Sequence, residues 1–192
     1  MLNKISMSLS KGAFFMILSA GSFCMMTVFV KLAGDSLPTI QIVFVRGLFT
    51  LLITGFFLLK AKINPLGKNK RLLTARGLSG TIALFLVYES IQRFPLSEAT
   101  VIQYLYPLFT AMIAAALISE TVDRNILIGL FAGFFGVYAI LGFPFLSDSY
   151  LDIESLAIAV CGSFLTGLAY VLVRKATSLN EHPLVVMFYF PF

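Results

Sequence analysis

Charged residues are scarce in this 192-residue chain: they make up 12% of it, whereas hydrophobic residues make up 59%. A soluble globular domain carries about 25% charged residues, so this balance excludes one and indicates a membrane protein. The two cysteines, Cys24 and Cys161, fall inside apolar stretches, where thiols behave as small hydrophobic groups, and they define no disulfide. A single histidine, His182, is too few for a metal site, and we expect neither a metal nor a cofactor.

Catalytic signatures are missing as well. The chain contains no nucleophile elbow, HExxH pair, cysteine and histidine set or phosphate-binding loop. Carboxylates inside the apolar stretches are too few for an acid and base pair, so we expect no catalytic residue. A transporter is the favoured function. A non-transporting membrane scaffold or subunit is the main alternative, and a membrane-embedded enzyme is less favoured.

Long runs without charged residues make up most of the chain, and no linker or low-complexity tract separates them. Four runs of about 19–23 residues have the length that spans a bilayer as a helix. They are bounded by Lys11 and Lys31, Glu98 and Glu120, Arg124 and Asp148, and Glu154 and Arg174. Two further spans, near 40–60 and 72–92, are interrupted by single charges, and another begins at Pro183. The sequence predicts an all-α integral membrane bundle of six transmembrane helices and the start of a seventh.

Basic residues are distributed unevenly between the ends of these spans. If the N-terminus is cytoplasmic, the inner segments hold ten lysines and arginines, and the outer ends hold two, Lys31 and Arg93. The turn around Ser147–Ser155 is acidic instead. The positive-inside rule therefore predicts a multi-pass protein of the cell (inner) membrane with a cytoplasmic N-terminus. The net charge of +5 follows from this topology, and we expect no nucleic acid partner.

A short pattern occurs twice, about 141–145 residues apart. Gly-Ser-Phe stands at 21–23 and again at 162–164, and each copy is followed by a basic residue and then by a proline, Pro38 or Pro183. Five helices separate the copies, so the second copy enters the membrane upside down. Inverted repeats of this kind are the usual architecture of secondary transporters.

The segment from Lys31 through Pro38 to Arg46, the stretch FPLSEATVIQYLYPLFTAMIAAALISE and the later GLFAGFFGVYAIL together resemble the EamA-type repeat of the drug/metabolite transporter superfamily. The resemblance implies ten helices in two inverted five-helix repeats (5+5) around a central cavity. Residues 1–146 then form the first repeat and 147–192 the start of the second, so roughly the last third of the ten-helix pattern is absent here. It also implies a permease for a small metabolite or drug-like solute that works in the lipid bilayer by alternating access. A homodimer is left open.

Polar and small residues recur at the helical period on five spans. Helix packing alone explains any single stripe of this kind, but five stripes with aromatic and amide side chains favour a shared cavity. The candidate substrate-binding residues are Arg46, Thr50, Thr81, Tyr88, Glu89, Gln103, Pro107, Ser163 and Tyr170. Pro107 removes a backbone hydrogen bond in mid-helix, so we expect it to expose a carbonyl to the cavity. A ridge of Gly129, Gly133 and Gly136 has no polar partner and predicts close helix packing.

Arg46 is the sharpest candidate, because an arginine inside a span costs roughly 2.5–3.5 kcal/mol on insertion scales. Three interpretations are open: it snorkels to the headgroups, it pairs with Glu89 at a similar depth on the next span, or it binds a carboxylate or phosphate of the substrate. We favour the third, in which the substrate exchanges with Glu89 during transport, since a guanidinium matches planar oxyanions. For Glu89 itself, the favoured partner is Arg93, four residues later.

Overall fold

A computed structural model describes residues 11–118, 124–140 and 152–190, and the chain is helical throughout these ranges apart from short turns. The helices are α1 (Lys11–Gly34), α2 (Thr39–Lys60), α3 (Lys70–Arg93), α4 (Leu96–Gln103), α5 (Tyr106–Ile118), α6 (Arg124–Ile140), α7 (Ile153–Ser178) and α8 (Pro183–Phe188). The predicted all-α class is confirmed for the described residues. The repeat boundary expected at 146/147 lies outside them.

Five helical segments are long and apolar enough to cross a membrane. They are Gly12–Gly34, Thr39–Lys60, Lys70–Arg93, Leu96–Leu117 and Ile153–Ser178. Large hydrophobic side chains face outward along them, as lipid-facing residues do; Leu59, for example, is 80% exposed. The chain is therefore a multi-pass membrane protein. The sequence predicted six spans and the start of a seventh, and that count stays a prediction, because the residues on both sides of α6 lie outside the described ranges.

Helix starts follow local capping chemistry. Pro38 stands in an extended conformation directly before α2, with φ −66° and ψ 145°. Pro183 opens α8, as predicted, and Nδ1 of His182 accepts the backbone N–H of residue 184 at 3.3 Å. Asp152 precedes α7, and its carboxylate accepts the backbone N–H of Ser155 at 3.2 Å. Each of these residues satisfies or removes an N–H group that a helix leaves unpaired at its start.

The predicted fourth span is broken near its middle. α4 ends at Gln103 and α5 begins at Tyr106. Pro107 explains the break, because it offers no N–H to the carbonyl of Gln103 and its ring crowds that carbonyl. Near the break, the carbonyl of Ile102 accepts the hydroxyl of Ser163 on α7 at 2.9 Å. The free carbonyl of Ile102 therefore bonds to the neighbouring helix α7 and not to a group in a cavity.

The centre of the bundle is α3 packed along α7. The two helices run antiparallel: Arg93 at the end of α3 lies 3.1 Å from Glu154 at the start of α7. At their other ends, Glu181 after α7 accepts the backbone N–H of Asn69 before α3 at 2.6 Å. Gly162 permits the close approach, since a methyl group there would lie 3.2 Å from a backbone nitrogen of α3. This pair therefore fixes the positions of the flanking helices.

Lys31 fastens α1 to the C-terminal end of α3. Its Nζ donates to the carbonyl oxygens of Ile91, Gln92 and Phe94 at 2.6, 3.1 and 3.1 Å. In return, Nε2 of Gln92 donates to the carbonyl of Val30 at 2.7 Å. A cation satisfies the unpaired carbonyls at a helix C-terminus and interacts favourably with the helix dipole. We call this side of the bundle the Lys31 end.

The opposite side, the Glu181 end, is fastened by a buried carboxylate. Glu181 is 5% exposed and accepts the backbone N–H groups of Lys68 and Asn69 at 2.8 and 2.6 Å. Gly67 makes the turn before them with φ +61°, a left-handed conformation that glycine adopts freely. A side chain at Gly67 would also overlap Leu73 and crowd the carboxylate. The loop between α2 and α3 is therefore shaped around Glu181.

The small-residue ridge on α6 is exposed. A methyl group built on Gly129, Gly133 or Gly136 would have no atom within 4 Å. The ridge therefore has no packing partner among the residues that the structure describes, and the predicted close contact stays a prediction.

Candidate substrate site

Arg46 lies seven residues after α2 begins at Thr39, about 10 Å along the helix axis. Its Nη1 donates to the phenol oxygen of Tyr88 on α3 and lies 3.1 Å from the sulfur of Met26 on α1. Its Cζ is 5.5 Å from the centroid of the Tyr88 ring. Tyr88 is only 1% exposed. The guanidinium therefore points into the bundle between three helices, and the structure gives no support to snorkelling.

Glu89 has a different partner. Its Oε1 lies 3.0 Å from Nε of Arg93, which confirms the predicted pair four residues apart. The second ion pair of the described residues joins Arg93 to Glu154 at 3.1 Å, so the structure does not form the pair of Arg46 with Glu89. Successive residues point about 100° apart on a helix. Tyr88 therefore faces Arg46, while Glu89 lies on the face of α3 that carries Arg93.

A cavity of about 290 Å³ opens between α2, α3 and the segment after α8. It is lined by Ile40, Val43, Phe44, Gly47, Leu48, Leu51, Thr81, Leu84 and Phe190. The hydroxyl of Thr81 donates to the carbonyl of Phe190 at 2.6 Å, and the Phe190 ring lies 5.9 Å from Cζ of Arg46. The cavity walls are mostly apolar, and Ile40 and Phe44 among them are also exposed on the outer surface of the bundle. The predicted residue Thr81 is therefore a cavity residue in the structure.

Three other predicted residues lie outside the lining of this cavity. Thr50 sits one turn from Arg46, and its hydroxyl donates to the Arg46 carbonyl at 2.9 Å. Tyr170 of α7 is stacked on Tyr106 of α5, with ring centroids 5.3 Å apart and an angle of 22° between the rings. Gln103 is half-buried at the end of α4.

Ser163 and Pro107 affect how the helices are joined and where they break. The Ser163 side chain is fully buried, and its hydroxyl donates to the carbonyls of Ile102 and Ala159 at 2.9 and 3.0 Å. It therefore joins α7 to the end of α4. Pro107 is half-buried and sets the break between α4 and α5.

The structure adds three residues that the sequence reasoning did not select. The sulfur of Met26 contacts both Arg46 and Tyr88. Phe190 carries no signal, because one phenylalanine in an apolar run resembles every other. Arg76 did carry a signal, a charge inside a span, and its Cζ lies 5.0 Å from the Phe190 ring.

Acidic and basic groups outside the spans gather at the Lys31 end. The hydroxyl and the backbone N–H of Ser155 both donate to the carboxylate of Asp152, and these hydrogen bonds hold the pKa of Asp152 below its ordinary value.

Among the described residues, no group of three histidine, cysteine, aspartate or glutamate side chains could hold a metal ion.

The chain is similar to curated proteins that are named for transport. The chain is 26% identical over 182 residues to the pseudopaline exporter CntI of Pseudomonas aeruginosa, an alignment that covers 95% of this chain and 63% of that protein. It is 29% identical over 195 residues to solute carrier family 35 member G1 of Mus musculus, covering 93% and 51%. The chain thus spans about half to three fifths of the length of these curated relatives. No solved structure matches it.

A protein family also matches the chain. Residues 10–142, more than half of the chain, match the EamA-like transporter family. Both the family and the relatives are named for transport, which points to a transporter and not to an enzyme. With five apolar spanning helices and this match, the chain belongs to the EamA-like transporter family.

Proposed function

We propose that this chain forms the substrate-binding part of a secondary transporter that moves a small anionic metabolite or drug-like solute by alternating access. One observation carries the proposal: the described partners of the Arg46 guanidinium, Tyr88 and Met26, are both neutral. A cation inside a membrane span is costly unless it meets a counter-charge or water. A carboxylate or phosphate of the solute supplies that charge in a geometry that a guanidinium binds well.

The proposed architecture is the ten-helix inverted repeat, with residues 1–146 as the first repeat and 147–192 as the start of the second. Its membrane part would include six spans and the beginning of a seventh at Pro183. Helix directions support it: α1 runs parallel to α3, since Lys31 near the end of α1 bonds the end of α3. α7 runs antiparallel to α3. The two Gly-Ser-Phe copies, on α1 and α7, therefore oppose one another, as inverted repeats do.

The proposed orientation places the protein in the inner or plasma membrane with the Glu181 end in the cytoplasm. The basic loop between α2 and α3 lies at that end, in agreement with the positive-inside rule. Export is the proposed direction, because one relative is named an exporter.

The test is transport by the full-length protein in inverted membrane vesicles supplied with cell extract, with accumulated solutes identified by mass spectrometry. Wild-type vesicles should accumulate acidic solutes. Arg46→Gln should abolish this accumulation, and Arg46→Lys should keep part of it, because ammonium retains the charge without the fork geometry. Arg71→Gln, which removes an exposed cation from the start of α3, is the matched control and should transport normally.

Expression and thermal midpoint in detergent must be measured for each variant, so that a folding defect is recognised. Wild-type accumulation by a stably expressed Arg46→Gln variant would remove the substrate role of Arg46. If wild-type vesicles accumulate no solute at all, the non-transporting scaffold or subunit becomes the better reading.

A further inference from the structure

Arg76 is a second arginine inside the membrane, six residues into α3 from the Glu181 end. Its Nε and Nη1 atoms are buried and have no hydrogen-bond partner among the described residues. Both ion pairs of the described chain involve Arg93, so no described carboxylate neutralises Arg76. Buried polar groups are nearly always paired in native structures, and a buried charge without a partner is costly. A buried cation without a partner indicates a binding site for an anionic ligand.

Arg46 and Arg76 face the same aromatic ring. Their Cζ atoms lie 5.9 and 5.0 Å from the centroid of Phe190, so the two guanidinium carbons are at most about 11 Å apart. The aromatic ring offsets part of the unpaired charge through cation–π attraction. It does not accept the N–H groups that Arg76 leaves unbonded.

The surroundings of Arg76 keep its guanidinium in this place. A methyl group on Gly80 would overlap Nη1 of Arg76 and lie 3.2 Å from the Phe190 ring, so the guanidinium rests directly over a glycine. The guanidinium is therefore held against α3, beside the Phe190 ring that also lines the cavity.

We propose that Arg76 is a second anion-binding residue and that the solute carries two acidic groups, one for each guanidinium, as a small dicarboxylate does. This inference rests on the proposed function, since it takes Arg46 as the first binding residue. The Phe190 ring contacts both guanidinium groups in this structure, and the solute replaces its ring there. The two intramembrane arginines are thereby explained by one ligand.

The experiment compares glutarate, which has two carboxylates, with butyrate, which has one, and with uncharged butyramide. The readout is the thermal midpoint of the purified full-length protein in detergent as a function of ligand concentration. Glutarate should stabilise the wild type at a concentration at least about tenfold lower than butyrate, because each charge-assisted pair contributes about tenfold or more. Butyramide should have no effect.

Variants separate the two arginines. Arg76→Gln should respond to butyrate as the wild type does but lose the preference for glutarate, and Gly80→Ala, which displaces the guanidinium and keeps the charge, should weaken that preference. Arg71→Gln on the same helix is the control and should keep it. Without ligand, Arg76→Gln should match or exceed the wild-type midpoint, because it removes an unpaired buried cation.

Three results overturn the inference: a wild type that does not prefer glutarate, an unchanged preference in Arg76→Gln, or a lower ligand-free midpoint in Arg76→Gln. The last would show that Arg76 is held by a structural partner. Failure of the proposed function looks different, since Arg46→Gln would then keep the response to butyrate.

Discussion

The phenol oxygen of Tyr88 accepts a hydrogen bond from Nη1 of Arg46, and the same hydroxyl lies 3.4 Å from the sulfur of Met26. The tyrosine is almost completely buried, so no bulk water competes for this bond. A guanidinium has five N–H donors in a rigid plane, and fixing one edge orients the others. Tyr88 is therefore the residue that fixes the orientation of the Arg46 guanidinium.

Tyr88→Phe removes this acceptor and leaves the charge of Arg46 in place. A hydrogen bond to a charged group contributes about 1.5–3 kcal/mol, so we expect KM for the solute to rise at least about tenfold with a smaller change in kcat. Vesicle transport of the solute identified with cell extract measures both constants. Tyr189→Phe, at the Glu181 end, is the control and should keep the wild-type KM. An unchanged KM in Tyr88→Phe would mean that the phenol does not orient Arg46.

Lys31→Met keeps the length of the side chain and removes the ammonium group from three carbonyls of α3. We expect the free energy of unfolding to fall by about 1–3 kcal/mol, because buried carbonyls lose a charged donor and the helix dipole loses its cation. Denaturation in detergent micelles provides the measurement. Lys60→Met, an exposed change at the end of α2, should have little effect. Equal stability of the two variants would contradict the capping role of Lys31.

Glu181→Gln keeps one oxygen that can accept the N–H groups of Lys68 and Asn69 but removes the negative charge. The expected cost is about 1–3 kcal/mol, since two N–H groups lose their charged acceptor. Hydrogen exchange should accelerate at the amides of Lys68 and Asn69 before any amide within α3. Glu154→Gln, an exposed carboxylate at the opposite end, should leave these two amides protected; similar acceleration in both variants would refute the local role.

Acid should weaken the start of α7. The pKa of Asp152 lies below its ordinary value in the folded chain, so its cap is fully present above the unfolded pKa of about 3.9 and is lost as the pH falls through the lower, folded pKa. The amide chemical shift of Ser155 should report this transition. Asp152→Asn still caps the helix but does not titrate, so its Ser155 signal should stay constant over the same range. A transition that persists in Asp152→Asn would come from another group.

Membrane orientation is open to chemical labelling. With Cys24 and Cys161 replaced by alanine, a cysteine at Lys68 should resist impermeant thiol reagents in intact cells, and a cysteine at Ser36 should react. Both positions are exposed in the structure, so a difference reports the side of the membrane. The reverse pattern would place the N-terminus outside.

Features that depend on neighbouring residues were predicted well. Glu89 and Arg93 pair because they stand one helical turn apart, and α8 begins at Pro183 because proline fits the first helical position. The five described spanning helices follow from long apolar runs in the sequence.

Contacts between distant segments could not be predicted in the same way. Glu181 bonds an N–H group 113 residues away, and Ser163 bonds a carbonyl 61 residues away. No sequence pattern predicts either contact. The sequence shows which polar groups require hydrogen-bond partners, but it does not show which distant segments will pack together. Arg46 shows the same limit: its charge was evident, but Tyr88 as its acceptor depended on how α2 packs on α3.

The hydrogen bond between Glu181 and Asn69 joins residues that the ribosome adds at very different times. Their positions differ by 112 residues, and ribosomes add about 5–20 residues per second, so the start of α3 waits on the order of 6–20 s for its carboxylate. During that interval the N–H groups of Lys68 and Asn69 lack the acceptor that they have in the folded chain. The loop before α3 therefore reaches its final shape only after α7 has been synthesised.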